Sequence, residues 1–163
     1  MIIMGIDPGL ALTGYGIIKE ENGKCDIVTY GCIRTAGRES TVGRLSKIYQ
    51  NIKDIIIDYE PDTMAVEELF FNKNARSAFL VGEARGVILL AAAHINLEAF
   101  EYTPLQVKQS VVGYGRATKK QIEEMVKISL NFKETIKPDD AADALAVALC
   151  HLHSRNLKEK GLL

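Results

Sequence analysis

Apolar positions at the start of the chain fall into short blocks separated by turn residues. The first block, Ile2–Ile6, ends at Asp7, which Pro8-Gly9 follow directly, and a second block spans Tyr15–Ile18. Asp26–Arg34 is a third such block. Short apolar runs bounded by Gly, Pro and Asn are typical of strands joined by tight connections. The pattern therefore predicts a three-stranded meander, with a carboxylate at the end of its first strand.

The spacing of apolar residues then changes to that of helices. From Leu45 to Tyr59 they recur every three or four positions, which predicts an amphipathic helix that begins at Ser40 or Thr41. A short apolar strand, Thr63–Val66, follows and ends in Glu67-Glu68.

A long helix is predicted next, from about Ala75 to Asn96. It is rich in alanine and carries Gly82 and Gly86 one turn apart. Glycine costs about 1 kcal/mol in a helix interior, so the pair indicates close packing, either within the fold or at a subunit interface.

The rest of the chain predicts one strand and three helices. Thr118 and Gln121 have the spacing of a capping box, and Pro138 suits the first turn of a final helix that stays apolar to about Leu152. The elements are a strand at Ala99–Tyr102 and helices from Pro104 to Val112, from Thr118, and from Asp139. We expect an α/β fold with a mixed five-stranded sheet and helices on both faces. A single domain would span residues 1–155, with a polar tail at 156–163.

Size and composition narrow the class of protein. The 163 residues suit one domain, and 47% hydrophobic with 25% charged residues is ordinary for a globular protein. No uncharged apolar run reaches the roughly 18 residues of a membrane span, and no basic region precedes the first apolar block, so neither a span nor a secretory signal is expected. Three cysteines without a C-x-x-C pair indicate reduced thiols in the cytosol.

The net charge of −1 conceals two segments that are basic and lack acids. A basic face of this kind is what phosphate binding requires, although solvated surface cations explain either segment equally well. One segment, Tyr102–Ile122, carries Lys108, Arg116, Lys119 and Lys120, and the other, Leu69–Gly82, carries Lys73 and Arg76.

Acids interrupt apolar elements at three places: Asp7, Glu67 and the start of the last helix. Asp140 and Asp143 share one helical face, but so do Asp139 and Asp143, and spacing does not choose between the two pairs. Each acid also has a structural explanation. Asp7 could belong to a turn and Glu67 to a solvated strand end, while acids in a first helical turn favour the helix dipole.

Clustered carboxylates would bind Mg²⁺, which prefers oxygen ligands. Two such ions about 3.5–4 Å apart can activate a water and stabilise the leaving oxygen of a phosphodiester. The cysteines and histidines lack zinc spacing, and neither a Walker loop nor a dinucleotide fingerprint is present. The acids therefore indicate metal-dependent phosphodiester chemistry.

Six collinear motifs add a resemblance that covers nearly the whole chain. They are Gly5-Ile-Asp-Pro-Gly with Thr13-Gly-Tyr-Gly, Gly31-Cys-Ile-Arg-Thr35, Val66-Glu-Glu-Leu-Phe with Lys73-Asn-Ala75, Gly82-Glu-Ala-Arg-Gly-Val87, Val107-Lys-Gln-Ser-Val-Val-Gly113 and Asp140-Ala-Ala-Asp-Ala-Leu-Ala146. In these motifs the chain resembles the RuvC family of bacterial Holliday-junction resolvases. The resemblance implies a ribonuclease-H-like fold and a homodimer. It also implies Mg²⁺-dependent cleavage of two opposed strands at a four-way DNA junction, which leaves 5′-phosphate and 3′-hydroxyl ends.

The resemblance also assigns roles to individual positions. The catalytic, metal-binding acids would be Asp7, Glu67, Asp140 and Asp143, a choice that favours Asp140 over Asp139. Phe70 would stack on junction bases, its alternative being a core or dimer-interface aromatic, and Lys108 and Lys119 would approach the DNA. Charge alone adds Lys73, Arg76, Arg116 and Lys120, and the helix of Gly82 and Gly86 resembles the family's dimer helix.

Further expectations concern cofactors and partners. The resemblance implies two Mg²⁺ ions per site, replaceable by Mn²⁺, a preference for T-rich cleavage sites and cooperation with the RuvA–RuvB branch-migration complex. The reduced cysteines predict a cytoplasmic location. Three alternatives stay open on the residues alone. They are a sugar-kinase or actin-like ATPase, a ribonuclease H or related nuclease, and a junction-binding protein that does not cleave.

Overall fold

The computed structural model describes residues 1–68 and 75–159. Within them, five strands form one sheet in the order β3-β2-β1-β4-β5. The strands are β1 (Ile2–Asp7), β2 (Leu12–Glu21), β3 (Lys24–Arg34), β4 (Thr63–Glu67) and β5 (Ala99–Tyr102). The helices are α1 (Thr41–Tyr59), α2 (Ala75–His94), α3 (Pro104–Val112), α4 (Lys119–Ser129) and α5 (Asp139–Glu159).

The sheet is mixed, as predicted. β1, β2 and β3 pair antiparallel in sequence, whereas β4 pairs parallel with both β1 and β5. In the β1–β4 register Ile6 lies opposite Val66, so Asp7 and Glu67 follow at neighbouring positions. The carboxyl ends of these two parallel strands therefore bring both acids to one edge of the sheet.

Helices cover both faces of the sheet, which confirms the predicted layers. Successive residues of a strand face opposite sides, and Ile3 accordingly packs with α3, α4 and α5, while Met4 packs with α1 and α2. Leu145 and Leu149 are fully buried on the first face, and Ile52 and Ile88 on the second. Each face has its own hydrophobic core.

α5 lies directly on β1 and β2 because those strands carry glycine where it crosses them. A Cβ atom at Gly5 would overlap the carbonyl oxygen of Ala144, and one at Gly14 would overlap that of Asp140. The helix side of the contact is small as well, since Ala141, Ala144 and Ala148 are fully buried. This close approach holds the first turns of α5 beside the end of β1.

Most helix starts follow the sequence. Ser40 caps α1 and accepts a hydrogen bond from the amide of Gly43 at 3.2 Å. The capping box of Thr118 and Gln121 opens α4 as predicted. A second capping box, Thr103 with Gln106, opens α3.

Two elements are longer than the sequence indicates. β2 extends on both sides of Tyr15–Ile18 because Leu12–Thr13 and Lys19–Glu21 pair with β3. The β2–β3 register shifts at Ile17/Ile18, which marks a bulge. α5 continues past Leu152 to Glu159, well into the stretch expected to be tail.

α2 is the one described helix that is long and apolar enough, by length and composition only, to cross a membrane, over Ser77–His94. One side of it belongs to the core, where Ala84, Ile88 and Ala91 pack with α1 and the sheet. The other side is open, with Phe79 69% and Leu90 48% exposed. The buried side of α2 is apolar because it packs in the core. Nothing in the described part of a single chain covers the apolar residues on its open side.

Candidate active site

The site begins with two carboxylates at the end of the parallel strand pair. Asp7 and Glu67 are hydrogen-bonded to each other through their side chains. Since two ionised carboxylates cannot share a hydrogen bond, one of them carries a proton in this arrangement. The pair is half-buried and lies against the start of α5.

α5 contributes two further acids and leaves a third outside. Asp140 and Asp143 are half-buried and close enough to Asp7 for their charges to raise its pKa. Asp139 is exposed, with 62% of its side chain accessible, and its charge acts on Asp143 rather than on Asp7. The structure thus places Asp140, not Asp139, with the strand acids, a choice that helical spacing could not make.

Burial and mutual repulsion raise the pKa values of three of these groups. The pKa of Asp7 rises from 3.8 to about 8, first through burial and then through the charges of Glu67, Asp143 and Asp140. Burial and Asp143 likewise raise the pKa of Glu67, and burial raises that of Asp143. Negative charge is therefore concentrated here beyond what the surrounding protein compensates.

Two lysines, Lys119 and Lys108, offset part of the negative charge of the acid cluster. Lys119 Nζ lies 3.1 Å from Asp143 Oδ2 and 3.4 Å from Asp139 Oδ2. Desolvation lowers the pKa of Lys119, but its hydrogen bond and ion pair with Asp143 outweigh that effect and leave the pKa raised. The charge of Lys108 lowers the pKa of Glu67, which places this lysine on the same site.

An open cleft of about 270 Å³ leads to the acids. Glu67, Asp143, Lys108 and Lys119 all line it, so it presents two carboxylates and two cations to an incoming group. Its remaining walls come mainly from α3, α4 and α5, through Pro104, Val107, Ile122 and Ala146. Val107 and Ala146 belong to two of the sequence motifs, but the sequence analysis assigned no role to any of these apolar wall residues.

Cys32 is a further neighbour that the sequence analysis did not assign to the site. Burial, followed by the charge of Asp140, raises the pKa of this thiol to about 11, with a smaller contribution from Asp7. Its place in the motif Gly31–Thr35 was the available signal. Its thiol stays protonated at neutral pH and acts as a packing group.

The other predicted contact residues are distributed around this centre. Arg116 and Lys120 are exposed before and within the first turn of α4, without a role in the acid cluster. Gly82 is half-buried and Gly86 is exposed on α2. Phe70, Lys73 and the side chain of Arg76 lie outside the described residues.

The donor set fits a hard divalent cation, because it consists of carboxylate oxygens with uncompensated charge. As they stand, however, no three acidic, histidine or cysteine side chains within residues 1–68 and 75–159 are arranged around a common metal position. One of the acids, Asp143, is paired through its Oδ2 atom with Lys119 Nζ at 3.1 Å.

Comparison with known proteins supplies the deciding observation. The family model described as crossover junction endodeoxyribonuclease RuvC matches residues 3–151, a range that contains all four acids. The chain belongs to the RuvC family. A RuvC protein of Alkaliphilus oremlandii is 58% identical over 159 residues, which cover 98% of this chain and 97% of the relative. Another, from Desulforamulus reducens, is 58% identical over 151 residues, which cover 93% of each.

Solved RuvC structures agree with the fold. Thermus thermophilus RuvC has a TM-score of 0.89 at 32% identity and covers 97% of both chains. T. thermophilus RuvC in complex with a Holliday junction substrate has a TM-score of 0.92 at 33% identity, with 97% of this chain and 96% of that chain covered. The predicted ribonuclease-H-like fold is confirmed. The yeast mitochondrial resolvase Ydc2, at 13% identity and a TM-score of 0.68, shares the fold alone.

Family membership decides among the alternatives left by the residues. The match names a crossover junction endodeoxyribonuclease, and it favours that activity over an ATPase, a ribonuclease H or a binding protein without cleavage.

Proposed function

We propose that this chain is a Mg²⁺-dependent endonuclease that cuts two opposed strands of a four-way DNA junction as a homodimer. One observation carries the proposal: four carboxylates from β1, β4 and α5 converge at the mouth of a cleft that two lysines line. Family membership gives the substrate, and the acids give the chemistry. The products would carry 5′-phosphate and 3′-hydroxyl ends.

Asp7, Glu67, Asp140 and Asp143 would hold the metal. Their raised pKa values and mutual repulsion indicate that a divalent cation is the missing compensation. Two Mg²⁺ ions, replaceable by Mn²⁺, would supply an activated water and stabilisation of the leaving oxygen. Lys119 would have to release Asp143 on metal binding, and it would then be available for a phosphate.

The basic residues would position the DNA backbone. Lys108 and Lys119 line the cleft beside the acids, where a scissile phosphate would lie. Arg116 and Lys120 are exposed on the adjoining loop and helix, where they would contact flanking phosphates. Phe70, Lys73 and Arg76 remain predicted DNA contacts, with Phe70 stacking on a junction base.

The open face of α2 supports a homodimer. Phe79, Gly82, Gly86 and Leu90 recur at three- and four-residue intervals and so share one helical face. Phe79, Gly86 and Leu90 are exposed, and a Cβ at Gly86 would meet nothing within 4 Å. A second copy of α2 could pack closely there, and its two-fold axis would present one acid cluster to each cleaved strand.

The remaining expectations follow from the family. We propose a cytoplasmic location, a preference for T-rich cleavage sites and cooperation with the RuvA–RuvB branch-migration complex.

The test compares a mobile four-way junction with linear duplex and an RNA–DNA hybrid in Mg²⁺. We expect paired, symmetric nicks on the junction alone. Asp7→Asn should lower the cleavage rate by at least about a thousandfold while junction binding survives, because the change removes a charge required in the transition state but keeps the shape.

Asp139→Asn is the matched control, since it makes the same chemical change at an exposed acid of α5, one helical turn from Asp143. It should keep at least about half of the cleavage rate, as expected of a surface carboxylate. Equal losses in the two variants would contradict the assigned acid set. Cleavage of the hybrid with an intact junction would contradict the substrate.

A further inference from the structure

The edge of the sheet that carries Asp7 continues across β2 to the end of β3. Asp7 lies opposite Gly14 of β2, and Gly14 lies opposite Cys32 of β3, so Cys32 is two strand spacings, about 10 Å, from Asp7. β3 runs in the same direction as β1, because both pair antiparallel with β2. Its last residue, Arg34, therefore extends about 7 Å further, towards the loops that follow the acids.

Arg34 belongs to the face of the sheet that α5 covers. Cys32 packs against the core of that face and Ile33 packs in the opposite core, so the alternation of a strand returns Arg34 to the α5 face. The pKa of Cys32 is raised first by burial and next by the charge of Asp140, whereas the charge of Arg34 lowers it. One thiol thus lies near both the arginine and the start of α5.

The backbone beside Arg34 is held firmly. The amide of Thr35 donates to the carbonyl oxygen of Ala11 at 3.1 Å, and its hydroxyl donates to that of Leu10 at 2.5 Å. Arg44 Nε of α1 donates in turn to Thr35 Oγ1 at 2.8 Å. These bonds tie the end of β3 to the loop between β1 and β2, so little backbone freedom remains to be lost when Arg34 binds a ligand.

The guanidinium of Arg34, by contrast, is open to a ligand. It is exposed, and no acid in the described part of the chain lies within ion-pair distance of it. A guanidinium presents a planar fork of donors that matches two oxygens of a phosphate. Lys108 and Lys119 line the cleft beside Glu67, on the other side of Asp7. Cations therefore lie on both sides of the acid cluster.

We propose that Arg34 binds a backbone phosphate of the DNA strand that is cut, on the side of the acids opposite Lys108 and Lys119. The inference rests on the proposed role of the acids as the cleavage centre. The strand would cross the acids between two sets of cations, which fixes its path over the site. Arg34 contributes to binding and takes no part in the proton or metal chemistry.

The experiment measures junction binding by the full-length protein in EDTA, where the DNA stays intact, over a series of salt concentrations. Arg34→Gln should raise the Kd about tenfold for each bound protomer and lower the slope of log Kd against log salt by about one. Arg34→Lys keeps the charge but not the fork, so it should keep the slope and give an intermediate Kd.

Lys24→Gln is the matched control. Lys24 is exposed at the opposite end of the same strand, ten residues or about 33 Å from Arg34. Its substitution removes one positive charge from the same strand, as Arg34→Gln does, and should leave both the Kd and the salt slope as in the parent.

Two further measurements identify the contact. Neutral methylphosphonates replace single phosphates of the cleaved strand, and the replacement at the contacted phosphate should weaken binding by the parent about tenfold but by Arg34→Gln no further. With saturating protein and Mg²⁺, Arg34→Gln should cleave within about threefold of the parental rate, because it loses binding rather than transition-state stabilisation.

Three results would contradict the assignment. An unchanged Kd and salt slope in Arg34→Gln would show a solvated surface cation, and equal losses in Lys24→Gln would show an effect of total charge. A lower saturated rate at unchanged Kd would show that Arg34 acts on the acids. Failure of the proposed cleavage centre is seen separately, because Asp7→Asn would then still cleave, whereas the Arg34 contact is measured without cleavage.

Discussion

α2 and α5 are similar in length and in their wealth of small residues, yet the fold uses them in opposite ways. α5 has 21 residues and buries every residue from Ala144 to Cys150, between the sheet on one side and α3 and α4 on the other. α2 has 20 residues and buries Ala84, Ile88, Ala91 and Ala92 while Phe79 and Leu90 face outwards. Small residues thus bring a helix close to its own sheet in one case, and in the other the helix keeps an exposed apolar side, which is the proposed dimer contact.

The largest expected effect tests the open side of α2. Leu90→Glu should weaken homodimerisation at least about a hundredfold, because each copy would place a charge in the apolar contact. Sedimentation equilibrium measures the dissociation constant. Ile128→Glu is the matched control, since Ile128 is 68% exposed on α4 and should leave the dimer intact. Dimers of unchanged affinity in Leu90→Glu would remove α2 as the interface.

The two glycine contacts provide the next test. Gly14→Ala should destabilise the chain by about 3 kcal/mol, because the added Cβ overlaps the backbone of α5. Gly86→Ala, made in the Leu90→Glu background to isolate the monomer, should instead stabilise it by up to about 1 kcal/mol through better helix propensity. Urea unfolding measures both changes. If the two substitutions changed the free energy of unfolding equally, α5 would not lie closer to its neighbours than α2 does.

The acid cluster, which includes Asp140 and Asp143 of α5, should make the stability of the fold depend on pH. The pKa of Asp7 rises from 3.8 in the unfolded chain to about 8 in the fold. The folded chain therefore binds this proton more tightly than the unfolded chain does. The stabilisation that results is complete below about pH 4 and is lost as the pH rises towards about 8. Thermal unfolding in EDTA should show Asp7→Asn more stable than the parent at pH 8, by at least about 1 kcal/mol.

The same unfolding measurement with Mg²⁺ in place of EDTA is a further test. Mg²⁺ should stabilise the parent at pH 8 and reduce the advantage of Asp7→Asn, because the cation binds the folded carboxylates. An advantage that is the same at pH 4 and pH 8 would show that Asp7 is not protonated in the fold.

The smallest expected effect concerns Lys119. Its ion pairs with Asp143 and Asp139 are half-exposed, so Lys119→Met should change the free energy of unfolding by less than about 1 kcal/mol. Because Lys119 would compete with the metal for Asp143, the same change should lower the Mg²⁺ concentration needed for half-maximal cleavage. A higher concentration would show that Lys119 assists metal binding instead.

Local patterns in the sequence predicted most of the fold. The strand and helix order, the sheet with helices on both faces and the capping box at Thr118 are confirmed because each depends on neighbouring residues. The Thr103–Gln106 box has the same spacing and could have been found in the same way. The full length of β2 could not have been predicted in this way, because its ends are extended only through their pairing with β3.

The site was predictable in kind but not in detail. Asp7, Glu67, Asp140 and Asp143 do come together. The family resemblance named Asp140 rather than Asp139, but helical spacing could not, because that choice depends on which side of α5 meets the sheet. Gly5 and Gly14 set the side of α5 that meets the sheet, because they let the helix backbone lie directly against β1 and β2.

The bulge between β2 and β3 has a consequence for aggregation. β3 is an 11-residue strand at the edge of the sheet, where an unpaired backbone can recruit the same edge of another molecule. The bulge at Ile17/Ile18 adds local twist, and Lys24 and Asp26 place charges along that edge. Edge-to-edge growth into fibres is thereby discouraged.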